Sequence, residues 1–185
     1  DLKDRINFIQ VVVPSREGVE EYQDLKNEIE SLVGQVNGEF SQPGWVPVQY
    51  MYRSLDRPEL AAYYAAADMA LVTPLRDGQN LVCKEYCACN VSETGVLILS
   101  EFAGAAAQLQ NHATLVNPHD QEGMARAIRR SFYWDSGERR ARMQKLRDTV
   151  RKHNIYWWVD SFLEAAISKN LDDFPPEETV RWSTG

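Results

Sequence analysis

Met69-Ala70-Leu71-Val72-Thr73-Pro74-Leu75-Arg76-Asp77-Gly78-Gln79-Asn80-Leu81-Val82-Cys83-Lys84-Glu85 reads as a strand, a turn and a helix in one sweep. The first part is short and continuously apolar, as a strand buried on both faces must be. Pro74 to Gln79 breaks it, and a helix from about Asn80 to Cys89 follows. The same unit recurs on either side. Ile6–Val13 is a β-branched run, halted at Pro14, and Val19–Phe40 carries Tyr22, Leu25, Ile29, Leu32, Val33 and Val36 at helical spacing, with its acids early. Val46–Tyr52 reads as a strand with Pro47 near its start. Asp56–Ala67 reads as a helix capped by Asp56, with Pro58 in its first turn. Gly95–Ser100 and Thr114–Val116 are further strands, with a short helix over 104–109 between them. The spacing then predicts helices over 121–133, 137–153 and 156–168. Alternating strands and helices with continuously apolar strands define an α/β chain. Its sheet is parallel, Rossmann-like and flanked by helices. Ligands in such sheets bind at the carboxyl ends of the strands, so the candidate segments are 14–18, 53–56, 74–80 and 100–104.

Composition narrows the chemistry. The 185 residues are long enough to bury a core. With 20 Lys and Arg against 27 Asp and Glu, the formal charge is -7, which argues against a broad nucleic-acid surface. One local anion site is still compatible with it. No apolar run approaches the roughly 20 residues of a membrane span, and no signal peptide is legible. The chain starts Asp1-Leu2-Lys3-Asp4-Arg5 with no initiator Met, and is read as a piece cut from a longer protein. There is no internal repeat. Residues 1–169 are read as one domain and 170–185 as a polar tail. Cys83, Cys87 and Cys89 lie in one helix, an odd cluster that suits neither a disulfide framework nor zinc ligation. They are read as reduced thiols of a cytoplasmic protein, with no metal and no cofactor expected. An oligomer is left open.

Chemistry concentrates at the turn 73–85. A Gly-containing turn entering a helix offers N–H groups and a positive dipole end to a phosphate. Asp77 could accept from sugar hydroxyls, and Glu85 could take two vicinal hydroxyls of a ribose. By pattern alone the plainer reading stands ahead: an ordinary βα turn with Asp77 as a cap and Glu85 on a solvated face. Ser100–Ala106 is a second small-residue turn, fitted for close backbone approach or for tight packing. Arg16 could grip an anion, or could pair with Glu17 or Glu20 at the surface. Tyr156, Trp157, Trp158 and Phe162 read as a packing face rather than a stacking platform, part of which would dock against the missing half if the chain is a fragment. The basic run Arg139, Arg140, Arg142, Lys145, Arg147, Arg151 and Lys152 reads as a solvated helix face.

Taken together, the segment 71–86, the segment 96–106 and Leu115-Val116-Asn117-Pro118 resemble the trehalose-6-phosphate synthase family, with glucosylglycerol-phosphate synthase as a close relative. The resemblance extends from Pro14-Ser15-Arg16 to the Trp157 helix and stops near Lys169. It implies the C-terminal, nucleotide-sugar half of a GT-B glycosyltransferase. Such an enzyme moves glucose from UDP-glucose to a sugar or polyol phosphate with retention and without a metal. It implies that Asp77 contacts the glucosyl hydroxyls, and that the backbone of Gly78, Gln79 and Asn80 faces glucose and diphosphate. Leu81, Val82, Cys83, Lys84 and Glu85 would line the UDP, with Glu85 on the ribose. Leu55, with Leu60 nearby, would hold uracil, and Arg16 would contact the acceptor's phosphate. Gln79 stands where the family has Met, and Cys83 and Cys87 where it has Ala. The family's cationic Arg and Lys pair lies upstream of this chain's start. A synthase-like module without catalysis is the rival from another class.

Overall fold

The computed structural model describes residues 3–14 and 18–168. The expectations for Arg16 and for the tail 170–185 therefore fall outside the described residues. The chain divides into two compact units, Asp1–Leu60 and Ala61–Gly185.

The first unit holds strand β1 (Phe8–Val12), helix α1 (Glu20–Phe40) and strand β2 (Val48–Tyr52). The strands pair in parallel, from Phe8 opposite Val48 to Val12 opposite Tyr52. Asn37 on α1 fixes the start of β2, because its amide exchanges two bonds with the backbone of Val48, at 2.9 and 3.0 Å. Such a side chain does for one strand end what a further ladder neighbour would. β1 differs from the buried strand expected: Phe8 and Ile9 are 41% and 49% exposed. Two strands and one helix cannot cover both faces of a sheet, so the apolar run is met on too few sides. Helix α2 (Arg57–Ala66) follows, and Asp56 caps it as expected, accepting from the Glu59 N–H at 2.8 Å.

The second unit holds β3 (Met69–Val72), α3 (Leu81–Cys89), β4 (Val96–Ser100), α4 (Ala106–Leu109) and β5 (Thr114–Val116). Three helices follow, α5 (Gln121–Phe132), α6 (Ser136–Lys152) and α7 (Ile155–Ser168). Its sheet is parallel throughout, in the order β3-β4-β5. The parallel α/β architecture is thus the one read from the sequence, but the ladder bonds fall in two sheets rather than one.

β4 is central and every residue of it is buried. Its side chains alternate between two cores, as a period of two demands. Leu97 and Leu99 pack with Cys83, Tyr86, Cys87, Leu109, Met143 and Leu146. Val96 and Ile98 pack with Val116 and Ala127 on the other face. Cys83 and Cys87 are fully buried, and burial pushes their thiols up to about 11 and about 12. They stay protonated and behave as small apolar residues.

Here one sequence reading changes and another is narrowed. Part of the basic run on α6 is not a solvated face. Arg139 donates to the Ser131 and Phe132 carbonyls that end α5. Arg142 lies over the Trp134 ring, 4.5 Å from its centroid, and reaches the His112 carbonyl. Arg147 is 7% exposed and donates to the Cys87 and Ala88 carbonyls at 2.9 and 2.7 Å. Carbonyls at a helix end lack partners within the helix, and a guanidinium meets both their lone pairs and the negative dipole end. The aromatic group on α7 is also not packed into the unit. Trp157, Trp158 and Phe162 are 41%, 51% and 58% exposed, and Trp158 and Phe162 stack on each other. Among the described residues of this unit no apolar layer covers them.

Candidate functional site

The carboxyl ends of β3 and β4 are stitched together by their own backbones. Asp77 N–H donates to the Phe102 carbonyl at 3.3 Å, and Gly104 N–H to the Asp77 carbonyl at 2.9 Å. Ala105 N–H then donates to the Gln79 carbonyl at 2.9 Å. The two turns singled out in the sequence are therefore one structure. Gly104 makes this possible: a Cβ there would stand 2.1 Å from the Gly78 carbonyl oxygen. The second turn's small residues are small because another backbone passes across them.

Asp77 organises the first turn. Its Oδ1 accepts from the N–H groups of Gln79 and Asn80, both at 2.9 Å, and its Oδ2 accepts from the Asn80 side-chain amide at 2.9 Å. These bonds, the Gln79 N–H first and the Asn80 amide next, hold its carboxyl below the ordinary value of 3.8. Asn80 is the N-cap of α3. It has a left-handed φ of 64°, and its Oδ1 accepts from the Cys83 N–H at 3.0 Å. Asn tolerates that backbone better than most residues, so one side chain serves both turn and cap.

Asp77 occupies part of the expected anion cradle. Of the three N–H groups at 78–80, two are already taken by Asp77. Within the stretch 77–82, the N–H groups of Gly78, Leu81 and Val82 have no acceptor among the described residues. The helix end still presents donors at Leu81 and Val82, which the resemblance assigned to the UDP stretch. Leu81 and Val82 are 57% and 45% exposed, so the start of α3 lies at the surface. Asp77 retains one unused lone pair on Oδ2 for an outside hydroxyl.

Glu85 lies one turn into α3, exposed, and Lys84 beside it is half-buried. The Tyr64 hydroxyl on α2 donates to Glu85 Oε2 at 3.5 Å. An open groove of about 650 Å³ runs from Gly78, Gln79, Leu81 and Lys84, past Gly104, Ala105 and Gln108, to His153, Asn154, Ile155, Trp157 and Trp158. The structure thus gathers Asp77, Gly78, Gln79, Asn80, Leu81, Val82, Lys84 and Glu85 at one helix end. Cys83 points inward to the core instead. Leu55 and Leu60 fall in the first unit, both half-buried, Leu55 past the end of β2 and Leu60 within α2. Tyr64, which meets Glu85, and Asn154, Trp157 and Trp158, which line the groove, were not among the candidate residues. Only folding brings α2 and α7 to α3, and no spacing in the sequence announces it. The cap role of Asn80 could have been read, since Asn directly before an apolar-periodic run is a helix start signal. Among the described residues no group of three His, Cys, Asp or Glu side chains is placed to hold a metal ion.

The family model described as glycosyltransferase family 20 matches residues 1–168. The chain is 46% identical over 171 residues to the trehalose-6-phosphate synthase of Mycobacterium marinum, covering 92% of this chain and 34% of that protein. With the synthase of Mycobacterium tuberculosis H37Rv it is 48% identical over 163 residues, covering 88% and 32%. It therefore spans about a third of the length of these relatives. Among solved structures, an Escherichia coli protein described as trehalose-6-phosphate bound with UDP-2-fluoro glucose superposes with a TM-score of 0.86. It is 37% identical, over 91% of this chain and 38% of that one. A UDP-forming α,α-trehalose-phosphate synthase from Burkholderia xenovorans, in complex with glucose-6-phosphate, gives a TM-score of 0.81 at 40% identity, covering 85% and 35%. With the family model matched over residues 1–168, this chain belongs to glycosyltransferase family 20.

Proposed function

We propose that residues 1–169 are the donor-binding domain of a retaining glycosyltransferase. The whole protein would move glucose from UDP-glucose to glucose 6-phosphate and so make trehalose 6-phosphate. One observation carries the reading. The first residues of α3, Leu81 and Val82, stand at the surface one helical turn before the Glu85 carboxylate. That is the order in which a nucleoside diphosphate offers its phosphates and its ribose. The departing UDP gains negative charge on its phosphates, and fixed N–H donors at a helix start stabilise such charge without reorganising. Lys84 adds a cation at the groove. Asp77 would take a glucosyl hydroxyl with its spare lone pair, and Gly78, Gln79 and Asn80 would form the wall beneath the sugar. Leu55 and Leu60 would hold uracil, and Arg16 would meet the acceptor's phosphate. The E. coli neighbour is bound with UDP-2-fluoro glucose and the B. xenovorans neighbour with glucose-6-phosphate, which favours this donor and this acceptor. The remaining two thirds of the relatives' length would supply the acceptor half and the cationic pair for the diphosphate. No helix among the described residues is long and apolar enough to cross a membrane. We place the protein in the cytoplasm, where its buried thiols would stay reduced.

Calorimetric titration of this chain with UDP, UDP-glucose and GDP-glucose tests the donor site. Weak binding of the two uridine ligands is expected, with no glucose transfer. Glu85→Ala should lose most of that affinity, about tenfold or more, because a charge-assisted bond to ribose is removed. Failure of all three ligands to bind would overturn the donor reading, and an unchanged affinity in the mutant would overturn the role of Glu85.

A further inference from the structure

We infer that Tyr64 is a positioning residue for ribose recognition, fixing the Glu85 carboxylate so that it can receive two vicinal hydroxyls together. The inference rests on the proposed role of Glu85 and goes beyond it.

Glu85 is exposed on α3, and an exposed Glu side chain explores many rotamers. A carboxylate that must meet two hydroxyls at once loses that freedom on binding, unless something has already restricted it. Tyr64 is the described group placed to do so. Its hydroxyl stands 3.5 Å from Glu85 Oε2, a long bond that limits the carboxylate without occupying it. Oε1 and the second lone pair of Oε2 stay available to a ligand.

Tyr64 can hold a position because it is itself held. It is half-buried and packs against the core that contains Cys83, Tyr86 and Cys87. Its ring meets the Tyr86 ring edge to face, with centroids 6.3 Å apart and planes at 80°. Tyr86 is in turn fully buried, and its hydroxyl donates to the Ala67 carbonyl at 3.1 Å. A continuous chain of contacts therefore runs from the core through two rings to one carboxylate oxygen, its last link the long Tyr64–Glu85 bond. Burial, with the Glu85 charge next, pushes the Tyr64 phenol up to about 12. It remains a donor at every pH the protein meets.

The test compares UDP with 2′,3′-dideoxy-UDP, which keeps base and diphosphate but has no ribose hydroxyls. Tyr64→Phe retains the ring and its contact with Tyr86, so folding should survive, and a thermal melt checks this. In this chain Tyr64→Phe should weaken UDP binding about threefold to tenfold and leave dideoxy-UDP binding unchanged. An equal loss for both ligands would make Tyr64 merely structural and overturn the inference, as would no loss for either. If the unmutated chain binds UDP and dideoxy-UDP equally well, the ribose role of Glu85 falls, and the role of Tyr64 with it. Glu85→Gln separates the cases, since it should erase the preference for UDP whatever Tyr64 does.

Discussion

Gly104 is the residue on which the candidate site depends most narrowly. Its missing side chain lets the 100–105 turn lie against the 77–79 turn, and three backbone bonds then join them. Gly104→Ala would put a methyl group 2.1 Å from a backbone oxygen that has no rotamer to escape into. The variant should lose about 1–3 kcal/mol of stability, and its UDP affinity should fall with it, since Asp77 and Gln79 move together. Urea unfolding followed by titration measures both, and an Ala variant with unchanged stability would contradict the stitching. The sequence showed that a small residue was wanted in this turn but not which backbone it would meet. Asp77 illustrates the same limit. Its acceptor capacity was legible, but the three bonds that use most of it arise only when the turn closes on Asn80.

At the scale of elements, the Asp56 cap was legible in the sequence, whereas the caps at Asp120 and Asp135, just as local, were not read. Asp56, Asp120 and Asp135 each accept from the N–H three residues on, at 2.8, 2.8 and 2.9 Å. Helix ends were less legible, because here they are closed from a distance. The basic residues of α6 looked like a solvated stripe by periodicity, yet Arg139 and Arg147 close α5 and α3. Sequence spacing gives the face on which a side chain lies, not the carbonyl it finds. Arg147 therefore links α6 to the helix whose other end is the candidate site. Arg147→Met should fill much of the same space while abandoning the Cys87 and Ala88 carbonyls, costing about 2–3 kcal/mol. Denaturant unfolding at neutral pH reads this directly. A change smaller than about 0.5 kcal/mol would mean that water replaces the guanidinium without loss.

At the scale of the whole molecule, the α/β character and the parallel pairing were evident from continuously apolar strands alternating with helices. The division into two sheets was not, because ladder bonds between strands leave no mark on composition. Nor was the exposure of β1 and α7, whose apolar residues predict burial without saying against what. The net charge of -7 takes on a different meaning beside an anionic ligand. Affinity must come from local donors, the Leu81 and Val82 N–H groups and Lys84, against the field of the whole chain. That makes the N-terminus of α3 the central claim, and amide spectra of the nitrogen-15-labelled chain during UDP addition test it most directly. The account predicts that the amides of Gly78, Leu81, Val82 and Glu85 shift together, with saturation, while those of α5 stay still. Shifts that spare these amides, or that centre elsewhere in the chain, would contradict it.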